Sequence, residues 1–141
     1  MVALFTWIVS SILIVLSGVH VYWMLGGRKG VRAAIPSDNG GRRFHPSKAA
    51  TGVVALALAS SGWFTLELGR MFHSSLFPGW LLVYGGWGLS LVFILRAVGD
   101  FRWMGFFKTR KGTLFAEWDS ILFTPLCLFL GLSLGMITMF R

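Results

Sequence analysis

Four long apolar runs dominate this chain: Leu4 to Leu25, Ala49 to Leu66, Leu76 to Leu95 and Ile121 to Phe140. Each is 18 to 22 residues long, and a helix of about 20 residues, rising ~1.5 Å per residue, crosses a ~30 Å hydrocarbon layer. Inside lipid the backbone must satisfy its own hydrogen bonds, so such runs form helices. Membrane-spanning strands would show alternating apolar residues, and these runs are continuous. The runs predict an all-α integral membrane bundle of four transmembrane helices, spanning about 4–25, 49–66, 76–95 and 116–140 in one membrane domain of 141 residues. Only 13% of residues are charged, half the ~25% of a soluble domain. No basic residue precedes the first run, its apolar part is long and no A-x-A-like cleavage site follows, so it reads as a permanent span.

The charges are distributed unevenly. The first loop, 26–48, holds Arg28, Lys29, Arg32, Arg42, Arg43 and Lys48, and the third, 98–113, holds Arg102, Lys108, Arg110 and Lys111. The second loop holds only Arg70 and the C-terminus only Arg141. With four spans, loops one and three share a side, which the positive-inside rule places in the cytoplasm, with both termini outside. The net charge of +8 is then a topology signal, and membrane lipids with anionic head groups are the expected partners. A nucleic-acid partner is not expected, because the basic residues flank spans and no recognition motif accompanies them.

Turn-forming residues fill the first loop (GGRKG, then IPSDNGGRRFHPS), and Ser47 stands where it would cap the second span. The short second loop predicts that spans two and three are antiparallel neighbours. Gly131 and Gly135 form a G-x-x-x-G pair, a helix-packing face expected to serve inside the bundle. Pro125 is expected to kink the last span and free a backbone carbonyl. Trp80, near an outer end, fits an aromatic belt. No internal repeat is evident.

Depth organises the ionisable groups. His20 lies roughly 9 Å from the middle of the first span toward the basic loops, at ~1.5 Å per residue. Arg96 and Asp100 close the third span at that end, one helical turn apart, and Glu117 and Asp119 open the fourth there. Three helices thus deliver polar groups to one layer, where buried charges should face one another. His20, Arg96, Asp100 and Asp119 are the candidate ligand-binding set, with Tyr22, Trp23, Arg102 and Glu117 as secondary candidates. The competing reading is a polar clamp that staples helix ends. His20 could bond Asp100 or Asp119, carry a proton or ligate a metal. A bis-histidine haem is not expected, because His73 lies at the opposite face and His45 in a loop. No diagnostic metal spacing accompanies His20, so no metal site is assigned and the cofactor stays unknown. Cys127 has no partner for an intrachain disulfide or a CxxC site and reads as a packing residue. Glu67 and Arg70 form a second pair, three residues apart, expected to anchor the outer end of the second span. No enzyme motif is present. Ser10, Ser11 and Ser17 read as helix-contact residues rather than nucleophiles.

Three stretches carry a likeness. HVYWMLGG (His20 to Gly27), RAVGDFRWMGFFK (Arg96 to Lys108) and FAEWDSILFTPLCL (Phe115 to Leu128) resemble the bacterial four-helix membrane family catalogued as domain of unknown function 3995. The resemblance covers almost the whole chain. It implies a multi-pass protein of the bacterial inner membrane with four spans, and it carries no catalytic role.

Three functions fit these observations. The first is a protein that binds or transports a small polar or amphipathic ligand at the polar layer, with Arg96 as the anion contact. The second is a structural or accessory subunit of a larger membrane complex. The third, ranked last, is a membrane enzyme using His20 and a carboxylate on a lipid-soluble substrate.

Overall fold

The structure, a computed structural model, describes residues 1–29, 47–99 and 121–141 in full and the backbone at 37–38, 41–42 and 119–120. Four helices form: α1 (Val2–Met24), α2 (Lys48–Leu68), α3 (Gly79–Val98) and α4 (Thr124–Met139), the last continuing a π-helical turn at Asp119–Phe123. All four segments are long and apolar enough to cross a membrane, and the chain is an all-α, multi-pass membrane protein. A minimal antiparallel ladder joins β1 (Ser37–Asp38) to β2 (Gly41–Arg42) in the first loop, pairing Ser37 with Arg42 and Asp38 with Gly41.

Local chemistry sets the helix ends. The Ser47 hydroxyl accepts the Ala50 N–H at 3.1 Å and caps α2, as its position predicts. Pro78 ends the loop before α3, so that helix starts at Gly79. At the end of α1, Gly26 takes a φ of 102° while the Gly26 and Gly27 amides return to the Trp23 and Tyr22 carbonyls. That is a Schellman termination, which glycine adopts without a Cβ penalty. Arg70 occupies the same left-handed position after α2 (φ 58°), a conformation that strains a non-glycine residue.

The expected proline kink takes another form. Pro125 lies just past the π turn with which α4 is continuous, so its missing N–H takes a bond from the preceding turn, and the widened π turn stands where that bond is lost.

The helices run up and down in a closed ring, each touching the next and α4 touching α1. The most extensive contacts lie within two hairpins, α1–α2 and α3–α4. Spans two and three are neighbours as expected, with Phe64 and Phe77 rings 5.6 Å apart, but theirs is a lesser contact. Apolar packing gains little where lipid is as apolar as the protein, so close approach and polar bonds hold such helices together. Ser10 Oγ donates to the Gly62 carbonyl (2.9 Å), Ser17 Oγ to that of Ala55 (2.6 Å) and Ser90 Oγ to that of Gly131 (2.7 Å). These bonds place Ser10 and Ser17 at helix contacts, while Ser11 is exposed. Gly131 and Gly135 pack against Ser90 and Ile94 of α3, so the G-x-x-x-G face serves the bundle.

The apolar core, Val9, Leu13, Leu68, Leu82, Leu130, Leu134 and Ile137, sits in the half of the bundle nearest the two termini. There Arg141 Nε also donates to the Leu68 carbonyl (3.1 Å), linking the C-terminus to the end of α2. At the opposite end, that of the basic loops, no α1 residue beyond Ser17 is buried.

Candidate functional site

The layer at the basic end is built from the last turns of α1 and α3. His20 is half-buried. Its Nδ1 lies 2.7 Å from the Leu16 carbonyl, one turn back on the same helix. A carbonyl only accepts, so Nδ1 carries the hydrogen and Nε2 is the basic nitrogen of the neutral ring. Trp23 packs edge-on against the imidazole, with centroids 5.0 Å apart at 63°. The Trp23 indole N–H donates to the Lys29 carbonyl (2.8 Å), holding the chain as it leaves α1. Tyr22 lies against Gly27, where any side chain would collide with its ring. These contacts fix one wall of the layer and leave Nε2 with no hydrogen-bond partner among the described residues.

Arg96 stands half-buried in the last turn of α3, where a cation complements the exposed carbonyls. It is an engaged side chain, not a free one. Gly99, at a φ of 81°, ends the helix three residues on. His20 and Arg96 are each placed by their own helix, and no described contact joins them. Asp100, Arg102 and Glu117 lie outside the described residues, and of Asp119 only the backbone, at the head of the π turn, is described. Among the described residues no three His, Cys, Asp or Glu side chains gather as metal ligands.

The opposite end holds a polar centre that sequence spacing misassigned. Glu67 is 3% exposed and does not pair with Arg70, which is exposed. Its Oε1 accepts the Trp63 indole N–H (2.8 Å), and its Oε2 accepts the Ser75 hydroxyl (2.9 Å) and the Leu76 and Phe77 amides (2.9 and 3.3 Å). Those amides precede the first turn of α3 and have no strand or helix partner, so the carboxylate supplies one. Trp63 in turn stacks on Phe72, centroids 4.9 Å apart. The available signal was Trp63, one turn before Glu67, with a polar, proline-ended loop following.

A family model described as a protein of unknown function (DUF3995) matches residues 13–134. The chain belongs to this family. Comparison with curated proteins and with solved structures gives no match. The DUF3995 match takes in both polar centres, His20 with Arg96 at one end and Glu67 at the other. The two differ chemically. In this DUF3995 chain Glu67 has its acceptor sites occupied and acts as a tie for the α2–α3 loop. His20 keeps a ring nitrogen able to accept a proton or a donor group.

Proposed function

We propose that this protein binds a small amphipathic ligand with an anionic head group at the basic end of the bundle, using His20, Arg96, Asp100 and Asp119, with Tyr22, Trp23, Arg102 and Glu117 around them. The observation that carries the reading is His20. Its Nδ1–H is committed to Leu16, and Nε2 has no hydrogen-bond partner among the described residues, in a layer that also holds a half-buried arginine. An anionic head group takes a hydrogen bond from a protonated imidazole and charge from a guanidinium. In this reading the basic loops face the cytoplasm, the membrane is the inner membrane of a bacterium, and anionic lipid is the nearest source of such a ligand.

The test is thermal unfolding in mild detergent with added phosphatidylglycerol, and with phosphatidylcholine as the neutral control. Wild type should be stabilised by the anionic lipid alone. His20→Ala and Asp100→Asn should unfold normally without lipid and lose that stabilisation. Variants that melt early yet keep the full lipid response point to a helix clamp instead.

A second reading, an accessory subunit of a larger membrane complex, draws on the outer face of α2. Ala50, Val53, Ala57 and Ser60 are exposed there, a small-residue surface that suits another helix. Co-purification with a larger partner at fixed stoichiometry supports it, and a solitary monomer after mild extraction removes it. Enzymatic action on a lipid-soluble substrate ranks third, since no described group pairs with His20 as an acid–base partner.

A further inference from the structure

The two hairpins make the same contacts in the same register. Adding 80 to a residue number in α1 gives its counterpart in α3, and adding 69 to one in α2 gives its counterpart in α4. Ser10 donates to the Gly62 carbonyl, and Ser90, its counterpart, donates to that of Gly131, the counterpart of Gly62. A Cβ on Gly62 would meet Ile14 and the Ser10 carbonyl, and one on Gly131 would meet Ile94 and the Ser90 carbonyl. Both isoleucines and both serines obey the offset.

A third contact keeps its chemistry with the roles exchanged. Thr6 of α1 packs on Gly69 at the end of α2, and in the other hairpin Gly86 of α3 receives Thr138 of α4. Both threonine hydroxyls donate one turn back, Thr6 to Val2 (2.8 Å) and Thr138 to Leu134 (2.7 Å). At a fourth pair of positions only burial is kept: Ser17 donates to the Ala55 carbonyl, whereas at the counterparts Ala97 and Thr124 the threonine hydroxyl has no hydrogen-bond partner among the described residues, and all four are buried. Burial agrees at these contact positions: Thr6, Ser10 and Ser17 match Gly86, Ser90 and Ala97, and Ala55, Gly62, Thr65, Leu68 and Gly69 match Thr124, Gly131, Leu134, Ile137 and Thr138; elsewhere it differs, with Val9, Leu13, Glu67, Leu82, Leu130, Ser133 and Gly135 buried where their counterparts are part-buried.

We infer that the molecule is two copies of one transmembrane hairpin, and that the ligand layer is where the copies diverged. Since α1 and α3 cross in the same sense, the copies are related by a rotation about the membrane normal, the parallel-repeat arrangement in which ligand sites lie between the halves. The ring of contacts fits this, because α1 on α4 and α2 on α3 are equivalent pairs. Packing positions stay small or apolar in both copies, and Trp7, Ser10, Ile14, Trp23 and Met24 recur as Trp87, Ser90, Ile94, Trp103 and Met104. The chemistry changes near the basic end, where Leu16, His20 and Tyr22 become Arg96, Asp100 and Arg102 in the sequence. The proposed site thus draws His20 and Tyr22 from the first copy and Arg96, with the sequence counterparts Asp100 and Arg102, from the second. This last step rests on the proposed ligand site, whereas the duplication does not.

The duplication is tested by exchanging copies in the full-length chain. Gly69→Thr alone should lower the melting temperature by several degrees, because its Cβ meets Thr6, and Thr6→Gly alone should lower it through the lost contact. Together they recreate the Gly86–Thr138 arrangement, and the double variant should melt above Gly69→Thr. The mirror cycle, Gly86→Thr with Thr138→Gly, serves if Gly69→Thr does not fold. A double that melts no higher than its worse single in the cycle that folds overturns the equivalence. The ligand step is read separately from the phosphatidylglycerol stabilisation. Arg96→Leu should remove it, and Arg96→Leu with Leu16→Arg, which moves the arginine to the other copy, should restore part of it. If that pair does not fold, His20→Asp with Asp100→His asks the same question. Recovery in the swap cycle with no recovery of the lipid response leaves the duplication standing and removes the shared site.

Discussion

Glu67 has no cation beside it among the described residues, yet it is buried at the end of a membrane span. Four donors replace the cation: one indole, one hydroxyl and two amides. Sequence spacing could not distinguish this from an ion pair, because residues three apart would share a face had the helix continued, whereas α2 stops at Leu68 and the loop's return path brings residues 75–77 back to Glu67. Glu67→Gln should therefore cost about 1–3 kcal/mol, since an amide facing three donors on one side and an indole on the other must present its own N–H to one of them. Arg70→Gln, at an exposed position, should change stability by less than about 0.5 kcal/mol. Thermal unfolding in detergent separates the two readings, and equal losses for both variants would bring the ion pair back. His20 shows the converse at the same scale. Its placement in the basic-end layer was legible from depth, but its bond to Leu16 was not, because a histidine facing acidic neighbours and one turned back on its own helix have the same sequence.

The helices were legible as elements because a continuous apolar run of bilayer length has one stable backbone solution in lipid. Their pairing was only partly legible. A short second loop makes α2 and α3 neighbours, but the serine and glycine contacts make α1–α2 and α3–α4 the tight pairs, and such contacts depend on register that a single sequence does not display. The duplication was hidden for a related reason. Close helix packing asks only for a small or apolar residue at each position, so Thr–Gly can become Gly–Thr without leaving an identity. Ser10→Ala should accordingly destabilise the α1–α2 hairpin by about 0.6 kcal/mol, the average for such bonds in membrane helices. Ser11→Ala, one residue away and exposed, should have no measurable effect. The comparison is made by chemical or thermal unfolding of the full chain in one detergent, and a loss confined to Ser11→Ala would contradict the register that joins α1 to α2.

At the scale of the whole molecule, the bundle is packed most closely near its termini and carries its basic loops at the other end, so its two faces differ in both cohesion and charge. Charge alone should set its orientation. Ten Lys and Arg flank the spans at the basic end, from loops one and three, against Arg70 and Arg141 at the other. Each loop is short enough for its charges to count, and neither needs the other: with loop one neutralised, the four cations of loop three still outnumber the two opposite. A reporter fused after Arg141 that is active only outside the cytoplasm should thus be active in the wild type. It should stay active when Arg28, Lys29, Arg32, Arg42, Arg43 and Lys48 are all changed to Gln, and lose activity only when Arg102, Lys108, Arg110 and Lys111 are changed as well. A silent reporter in the wild type would place the basic loops outside and remove cytoplasmic anionic lipid as the source of the ligand. The duplicated hairpins and the polar layer would be untouched by that result, because the hairpins are read from contacts within the bundle and the layer from depth along the spans, neither from the side the bundle faces.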